Sequence, residues 1–333
     1  MILIGPDMQS IERVRRRIKL RDLHILLVVA QRGSMAKAAA ELAISQPAVS
    51  RAVADMEHAL GLRLLDRGRN GIKPTPYGLA LVRRGKIIFD ELTQGMQELE
   101  FLADPTVGEL RIGSSESVAA GLLPAVIERF ARRHPGIRLN VTQTVLGTTH
   151  YRELRDRSID LLLGWIPAPF AEEDLVVEPV LSDPRVVVAG RQSKWARASR
   201  LSLADLGDEA WILPPPETFP GALVADLFRK SGLNMPRTPL ATLSLHLCCK
   251  LAASGHFVTL LPSSIVQFGG RDLALKVLPL KLPLTSVVSV AIVTLKNRTL
   301  SPAAEIFIKC VREVSGEMAG RPGMRKTSAA RRS

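Results

Sequence analysis

Three short helical patterns follow one another between residues 20 and 60, and their spacing constrains the fold more than any other feature. The first begins with Leu20 in its apolar stripe, continues to Gln31, and ends at Arg32-Gly33-Ser34. Ser34 caps the second, from Met35 to Leu42, whose alanines let another helix approach closely. This stretch therefore predicts short helices packed on one another through apolar and small faces.

The third pattern, which begins at about Gln46, has the features of a recognition helix. Ser45 is its expected N-cap, and Pro47 falls in the first turn, where a missing N–H costs nothing. Gln46, Ser50 and Arg51 stand on its polar side. Two short helices with a tight turn, the second opening with polar side chains, predict a helix-turn-helix. Glutamine can read adenine and arginine can read guanine, whereas serine serves either base or a phosphate.

A basic segment after the third helix predicts a wing. Gly68 and Gly71 suit the tip of a hairpin, and Arg67, Arg69 and Lys73 flank that tip. A single such cation is ordinarily a solvated surface charge, but beside a helix-turn-helix these three are predicted to meet DNA phosphates. The predicted DNA contacts are Ser34, Ser45, Gln46, Pro47, Ser50, Arg51, Arg67, Arg69 and Lys73.

The charge distribution agrees with a polyanionic partner. Residues 13–89 contain 16 Lys and Arg against 5 Asp and Glu, in a chain of net charge +13. Charge alone leaves DNA, RNA and an anionic membrane surface open. The helix-turn-helix pattern favours double-stranded DNA among these three.

Several classes of protein are excluded by what the sequence lacks. No apolar stretch reaches the roughly 18–20 residues of a membrane span, and the N-terminus does not suit secretion, so we expect a cytoplasmic protein. Cys248, Cys249 and Cys310 have no metal-ligand spacing, and we expect no metal or cofactor. The adjacent Cys248 and Cys249 could form a redox switch, although two small buried apolar residues fit better. Without a phosphate loop or nucleophile elbow, the chain is not expected to be an enzyme.

A long helix is predicted between Thr75-Pro76 and Asp104-Pro105. Apolar or small residues recur there at intervals of three and four, at Val82, Gly85, Phe89, Leu92, Met96 and Leu99. This rhythm is that of a coiled-coil seam, although a helix packed on its own domain would also show it. A long helix between two domains favours dimerisation.

From Pro105 onward, strand and helix patterns alternate. Gly108 to Gly113 is a strand, Val118 to His134 a helix, Ile137 to Thr144 a second strand and Ile159 to Gly164 a third. Such alternation predicts βαβ units on a mostly parallel sheet, and a second run of the same kind starts at Val186. The predicted fold class is therefore α + α/β, with a winged helix-turn-helix, a linker helix and an α/β domain.

The chain resembles one known family along nearly its whole length. The N-terminal matches are Gly33 to Ala39, Leu42 to Arg51, Met56-Glu57, Leu60-Gly61 and Leu64 to Arg67. They stand in the order and spacing of the LysR-type transcriptional regulators. The C-terminal matches, to the effector-binding domain of that family, are Gly108 to Gly113, Leu123-Pro124, Phe130, His134-Pro135, Asp160 to Gly164 and Leu261-Pro262. Leu65 departs from the usual Phe, which we expect to change core packing rather than DNA contact.

The resemblance implies an organisation and an assembly. It implies a winged helix-turn-helix at 19–76, a linker and dimerisation helix at 77–104, and an effector-binding domain at 106–314. That domain would be of the periplasmic-binding-protein-like type 2 fold, with lobe 1 at about 106–182 and 285–314 and lobe 2 at about 183–284. Residues 1–18 and 315–333 would be flexible tails. In the family the linker helix pairs two subunits, so a homodimer or homotetramer is implied.

Small hydroxyl-bearing residues follow several predicted strands, where ligands of open α/β sheets bind. The predicted effector contacts are Ser114, Ser115, Thr148, Thr149, Ser244 and His246. Each could equally be an ordinary helix cap. The stretches from Glu178 to Gly190 and from Trp211 to Pro215 look most like a sugar-responsive subgroup, the galactose-binding-protein regulators. A sugar or a small organic acid would suit these side chains.

The sequence therefore predicts a sequence-specific DNA-binding transcriptional regulator, modulated by a small molecule bound between two lobes. One alternative keeps the DNA-binding part and gives the C-terminal domain a purely structural role. Another is a solute-binding protein, which would leave the first hundred residues unexplained.

Overall fold

The computed structural model describes residues 18–68, 71–144, 151–166, 170, 172–268, 273–283 and 289–319. The chain forms two compact units, divided between Thr93 and Gln94. Within the described ranges, no helix has the length and apolar character needed to span a bilayer.

The N-terminal unit packs three short helices beside a two-stranded hairpin. Its described elements are α1 (Leu20–Arg32), α2 (Met35–Glu41), α3 (Gln46–Leu60), β1 (Leu65–Gly68), β2 (Gly71–Pro74) and the first part of α4 (Pro76–Ala103). Gly33 and Gly61 end α1 and α3 with left-handed φ values of +63° and +66°, as C-terminal glycines do. The predicted helix starts at Leu20, Met35 and Gln46 are confirmed, and α2 ends one residue earlier than predicted.

The buried face of α1 is wider than its sequence pattern predicts. Leu23 and Leu26 are buried as expected, but Leu20 is 51% exposed, since it lies in the first turn before the packed part of the helix. Ile25 and Val29 are buried as well, because α1 contacts α2, α3 and β2 together. Leu20 is therefore not part of the core stripe.

The hairpin is attached to the helices through their backbones. The N–H of Ile72 donates to the carbonyl of Gly33 at 2.9 Å. Gly71 has a φ of +102°, and a Cβ there would lie 2.9 Å from the Gly33 oxygen, so glycine is required at this close approach. The Thr75 hydroxyl donates to the carbonyl of Arg63 at 2.7 Å. These contacts fix where the hairpin leaves the helical core.

Helix α4 does not present the continuous seam predicted from sequence. Gly85 is buried against Leu23, and Phe89 stacks on His24 with ring centroids 5.3 Å apart. The seam residues in the N-terminal unit therefore pack on that unit, because α1 approaches closely at Gly85. The apolar residues farther along α4 are exposed: Leu92 (51%), Met96 (53%), Leu99 (61%) and Leu102 (71%).

The second unit contains two lobes, and the first is built on a mixed sheet. Its described elements are β3 (Val107–Ser114), α5 (Glu116–Ala120), α6 (Leu122–Arg133), β4 (Gly136–Gln143), α7 (Arg152–Arg155), β5 (Leu161–Ile166), β6 (Leu175–Ser182), β12 (Ser289–Leu295) and α11 (Pro302–Ala319). The strands lie in the order β4-β3-β5-β12-β6. β3 is parallel to β4 and β5, whereas β12 is antiparallel to β5 and β6. The returning strand β12 makes this sheet less parallel than predicted.

The second lobe is inserted between β6 and β12. Its described elements are β7 (Arg185–Gly190), β8 (Trp211–Leu213), α8 (Phe219–Lys230), β9 (Leu240–Ala241), α9 (Leu245–Ala253), β10 (Val258–Pro262), α10 (Ser263–Phe268) and β11 (Leu275–Val277). The strands lie in the order β11-β7-β10-β8-β9. Trp211 and Phe228 meet edge to face in its core, with centroids 5.4 Å apart.

Several predicted elements are corrected by the structure. The helix predicted from Val118 to His134 is divided at Gly121, where a Cβ would lie 2.4 Å from the Ser264 hydroxyl oxygen. β6, α10 and β11 have no counterpart among the sequence predictions. Helix α11 continues to Ala319, because Met318 is buried in the core, so the tail predicted from residue 315 does not begin there. At the other end, Ile18 packs on the N-terminal core instead of belonging to a tail.

Asp160 connects three segments of the first lobe. Its carboxylate accepts hydrogen bonds from Arg298 at 2.7 Å and from Arg111 at 2.6 Å. Arg298 also donates to the carbonyl of Ile159 at 2.7 Å. The side chains of Asp160 and Arg298 are 3% and 1% exposed. This buried cluster ties β3 to the start of β5 and to the chain that follows β12.

Candidate DNA-binding surface and effector cleft

The N-terminal end of α3 is arranged as a recognition surface. Gln46, Pro47 and Arg51 are exposed, and Ser50 is half-buried. Their opposite side, which includes Val49, lies in the helical core. The predicted base-reading side chains therefore share the free side of one helix, which suits entry into a major groove.

Two predicted contacts, Ser34 and Ser45, cap helices. The Ser34 hydroxyl accepts from the N–H of Lys37 at 3.4 Å, and the Ser45 hydroxyl accepts from the N–H of Ala48 at 3.4 Å. Each serine leaves other N–H groups of its first helical turn without an intrahelical acceptor. Such groups bind phosphates well, so a capping role and a DNA-contacting role are compatible.

Glu57 positions the wing and was not singled out as a functional residue from the sequence. Its Oε1 atom accepts hydrogen bonds from the backbone N–H groups of Leu64, at 2.7 Å, and Leu65, at 3.1 Å. The end of α3 is thereby linked to the start of β1. Leu65, which stands where the family usually has Phe, is buried as expected. It therefore anchors the hairpin from the core.

The wing carries its predicted cations on the free surface. Arg67 and Lys73 are exposed, and Lys73 lies opposite Asp66 in the antiparallel ladder. Arg69 lies outside the described residues. Two of the three predicted phosphate contacts therefore stand on adjacent strands beside the recognition helix.

At the carboxyl end of β3, three serines follow one another closely. Ser114 is the last residue of the strand, fully buried, and its hydroxyl donates to the carbonyl of Ser115 at 3.2 Å. The Ser115 hydroxyl lies 3.2 Å from that of Ser117 and does not cap α5. The Ser115 and Ser117 hydroxyls thus form a polar pair at the edge of the sheet.

On the second lobe, the N-terminus of α9 faces this group of serines. Ser244 caps this helix by accepting from the N–H of Leu247 at 3.4 Å, and His246 is exposed. The carboxylate of Glu116, from the first lobe, accepts a hydrogen bond from the N–H of Leu245 at 2.8 Å. This bond brings the segments of Ser115 and Ser244 to the same cleft. The predicted contacts Thr148 and Thr149 lie outside the described residues.

The crossover between β6 and β7 carries a buried polar cluster that sequence reasoning missed. Asp183 accepts hydrogen bonds from the hydroxyls of Ser263, at 3.0 Å, and Ser264, at 2.6 Å, and from the N–H of Ser264 at 2.9 Å. Burial raises the pKa of this carboxyl above its usual range. The sequence Asp183-Pro184 could have indicated this cluster, but it was used only as part of the family resemblance.

Beside this crossover, Arg185 lies over the indole of Trp165. The guanidinium carbon is 4.1 Å from the ring centroid, within the range of a cation–π contact. Trp165 belongs to β5 of the first lobe, and Arg185 is the first residue of β7 in the second. The contact therefore joins the two lobes at their connection.

The three cysteines are buried and unpaired. Burial raises the pKa of Cys248 to about 11, and it also raises the pKa values of Cys249 and Cys310. Raised values keep the thiols protonated and unreactive at neutral pH. In the described ranges, no group of three metal-ligating side chains could hold a metal ion.

An exposed recognition helix, a basic wing and a two-lobed α/β domain define the class of DNA-binding regulators that carry a ligand-binding-type domain. Residues 20–79 match the family model described as bacterial regulatory helix-turn-helix protein, lysR family. Residues 103–316 match the LysR substrate binding domain. The chain belongs to the LysR family and is a DNA-binding LysR-type transcriptional regulator.

Relatives within the family span most of the chain. It is 28% identical to the HTH-type transcriptional regulator GbpR of Azospirillum brasilense over 306 residues, which are 91% of this chain and 88% of that protein. It is 30% identical to GbpR of Rhizobium radiobacter over 240 residues, covering 70% and 79%. It is 25% identical to TdcA of Escherichia coli K12 over 298 residues, covering 89% and 93%.

Solved structures of LysR regulators share the fold. A full-length OxyR variant of Pseudomonas aeruginosa superposes with a TM-score of 0.62 at 21% identity, over 89% of this chain and 94% of that one. Full-length CbnR in complex with its target DNA superposes with a TM-score of 0.59 at 21% identity, covering 89% and 99%. These likenesses confirm the predicted fold class.

Proposed function

We propose that the chain is a homo-oligomeric regulator that binds a specific operator and responds to a small molecule held between its lobes. The main support for sequence-specific reading is the free side of α3, where Gln46 and Arg51 are exposed while Val49 is buried. In the proposed contact set, Gln46, Ser50 and Arg51 read bases, while Arg67, Arg69 and Lys73 meet phosphates. Ser34, Ser45 and Pro47 lie at the helix starts and hold the backbone of the DNA.

The proposed boundaries follow the sequence prediction for DNA binding at 19–76 and a linker at 77–104, and the proposed effector domain runs from 106 to the end of α11 at Ala319. Dimerisation through α4 is supported by four apolar residues that are 51–71% exposed in a single chain: Leu92, Met96, Leu99 and Leu102. Isolated apolar residues are common on surfaces, but a series at helical spacing suits a partner helix. A homodimer would present two recognition helices to a partly palindromic site.

Effector binding is supported by polar groups on the two segments that the Glu116–Leu245 bond joins: Ser115 and Ser117 on one segment, and Ser244 and His246 on the other. Thr148 and Thr149 complete the proposed contacts. Ser114 is fully buried, so it joins them only if the lobes move apart. A ligand changes the equilibrium between lobe arrangements only if it binds one of them more tightly. The proposed protein is thus a regulator and not an enzyme, acting in the cytoplasm, where bacterial DNA is found.

A second candidate is a regulator whose C-terminal domain is structural. The bond between Glu116 and Leu245 favours it, because a side chain of the protein itself supplies an acceptor that links the two lobes. The two candidates differ in whether any small molecule changes DNA binding.

The experiment that tests the proposal measures binding of the full chain to the DNA upstream of its own gene, across a salt series. Binding should weaken steeply with salt, with a logarithmic slope of about −0.9 per phosphate contact. A panel of sugars and organic acids is then added. A shift with one compound supports sensing, and no shift with any compound favours the structural alternative. Absent or salt-insensitive DNA binding would refute the assignment itself.

A further inference from the structure

Trp165 holds an unpartnered hydrogen-bond donor inside the second unit. The side chain is 3% exposed, and its Nε1 has no hydrogen-bond partner in the described part of the chain. The ring faces Arg185, whose guanidinium carbon lies 4.1 Å from the centroid. A buried indole N–H is ordinarily bonded, so an orphan at this position is unusual.

Arg185 has a second buried hydrogen-bond donor that lacks an acceptor. Its Nε is also buried and has no acceptor among the described residues. Asp183 is close enough to favour the charged form, but both of its oxygens already accept hydrogen bonds from Ser263 and Ser264. Burial lowers the pKa of Arg185 to about 10, and the charge of Asp183 opposes this only in part. Arg185 as a residue is partly exposed, its Nε is buried without an acceptor, and its guanidinium forms no salt bridge among the described residues, although Asp183 lies close enough to favour its charge.

The two buried donors, and a positive charge that Asp183 compensates only in part, limit the kind of group that can bind them. Leaving a buried donor unbonded is costly, and leaving a charge unpaired is more so. A water molecule or a sugar hydroxyl could accept both hydrogen bonds but would not neutralise the guanidinium. A carboxylate accepts at two oxygens and carries the opposite charge.

We infer that Arg185 and Trp165 bind the carboxylate group of a small organic acid. This inference rests on the proposed effector function and names the chemical class of its ligand. Because Trp165 belongs to the first lobe and Arg185 to the second, a carboxylate held by both favours the arrangement in which the two residues face each other. The ligand changes the lobe arrangement because it binds this arrangement more tightly than one in which the two residues are apart.

The test compares acids with their uncharged counterparts on the full chain. Acetate, succinate and benzoate are titrated against the corresponding amides, inorganic phosphate and glucose, and binding is followed by tryptophan fluorescence and calorimetry. At least one carboxylate should bind, and its amide should bind far more weakly. Arg185→Met should weaken binding of that carboxylate about 10- to 100-fold, whereas Trp165→Phe, which keeps an aromatic face but removes the N–H, should weaken it several-fold. Arg191→Met, at an exposed arginine of the same lobe, should leave it unchanged.

Binding of an amide, phosphate or glucose in preference to every carboxylate would overturn the inference, as would no binding of any acid or an unaffected Arg185→Met variant. DNA binding by the same preparations is measured in parallel. If the chain binds its operator and responds to glucose alone, the inference fails while the proposed function stands. If no operator binding is found, the proposed function fails first.

The stability of the unliganded chain gives an independent measurement. Since the buried Nε of Arg185 has no acceptor among the described residues, and Met keeps an apolar contact with the Trp165 ring, Arg185→Met should not lower the midpoint of thermal unfolding in the absence of acid. It should also abolish the further rise that the acid gives to the wild-type chain. A lower midpoint for the unliganded variant would mean that the N–H groups of Arg185 already have a structural acceptor and would overturn the inference.

Discussion

The carboxylate of Glu116 accepts a hydrogen bond of 2.8 Å from the backbone N–H of Leu245, which belongs to the other lobe. Glu116 stands in the first turn of α5, and Leu245 opens α9. A negative charge at the N-terminus of a helix is favourable, because the first N–H groups lack intrahelical acceptors. The chain itself therefore supplies an acceptor where the lobes face each other.

Removing this acceptor should loosen the lobes. Glu116→Ala is expected to lower the free energy of unfolding of the second unit by about 1 kcal/mol, as loss of a helix cap does. Glu116→Gln keeps an acceptor and should lower it less. Urea unfolding followed by tryptophan fluorescence measures this, because all three tryptophans lie in the second unit. Glu217→Ala, at an exposed glutamate, is the control, and equal losses in both alanine variants would contradict the capping role.

Base readers and phosphate contacts should respond differently to substitution. Gln46→Ala or Arg51→Ala should cost about 1–3 kcal/mol on the operator and relax the base preference. Arg67→Ala or Lys73→Ala should weaken all sequences alike and reduce the salt slope by about one. Fluorescence anisotropy on operator and scrambled DNA, over a salt series, separates the two patterns. Lys276→Ala, at an exposed lysine in β11, should change neither. A uniform loss for Gln46→Ala would show that the roles are misassigned.

Glu57 should control the order of the wing. Glu57→Ala leaves the N–H groups of Leu64 and Leu65 without their acceptor and should cost about 1–3 kcal/mol locally. Hydrogen exchange of the peptide that contains these two residues measures the loss of protection. Glu57→Gln retains a carbonyl acceptor and should keep most of it. Unchanged exchange in Glu57→Ala would mean that the wing is held by Thr75 and Gly71 alone.

The Asp160 cluster should dominate the stability of the first lobe. Asp160→Asn removes the carboxylate charge that faces the buried guanidinium of Arg298, which should lower the free energy of unfolding by about 3–5 kcal/mol. Asp208→Asn, at an exposed position, should have no measurable effect. Denaturant unfolding followed by tryptophan fluorescence tests both variants. A loss below about 1 kcal/mol for Asp160→Asn would show that the pair is solvent-screened.

The buried thiols predict an alkaline loss of stability. An unfolded thiol has a pKa near 8.5, whereas burial raises that of Cys248 to about 11. The unfolded state therefore loses its proton first, so stability is complete below about pH 8.5 and falls by about 1.4 kcal/mol per pH unit as the pH rises toward the folded value. Cys248→Ala should flatten this decline in alkaline urea titrations. An identical pH dependence in variant and wild type would contradict the raised pKa.

Much of the DNA-binding part could be predicted from sequence, because local signals determine it. Caps at Ser34 and Ser45, Pro47 in a first turn and Gly61 at a helix end act within one helical turn of their own positions. The wing was predicted as a hairpin for the same reason. Glu57 was missed as a functional residue because the two N–H groups that donate to it lie seven and eight positions away, and no periodicity records such a bond.

The effector domain was predicted less completely, since its decisive contacts join distant segments. The break at Gly121 depends on Ser264, and the Arg185 contact depends on Trp165 in the other lobe. The seam of α4 was overestimated because Gly85 and Phe89 meet α1, which sequence spacing alone does not show. The hydroxyl-bearing residues after β3 were predicted because ligands of open α/β sheets bind at strand ends. That rule does not predict that Glu116 bonds to the other lobe.

The late arrival of β12 has a consequence for synthesis on the ribosome. The described strands of the second lobe, from Arg185 to Val277, are all translated before Ser289, the first residue of the strand that pairs with both β5 and β6. Until then β6 has no partner among the described strands, and β5 has a free edge. Unpaired edges are sites of intermolecular strand addition. A product terminated before Ser289 would keep its recognition helix while exposing two such edges, and so would combine operator binding with a tendency to aggregate.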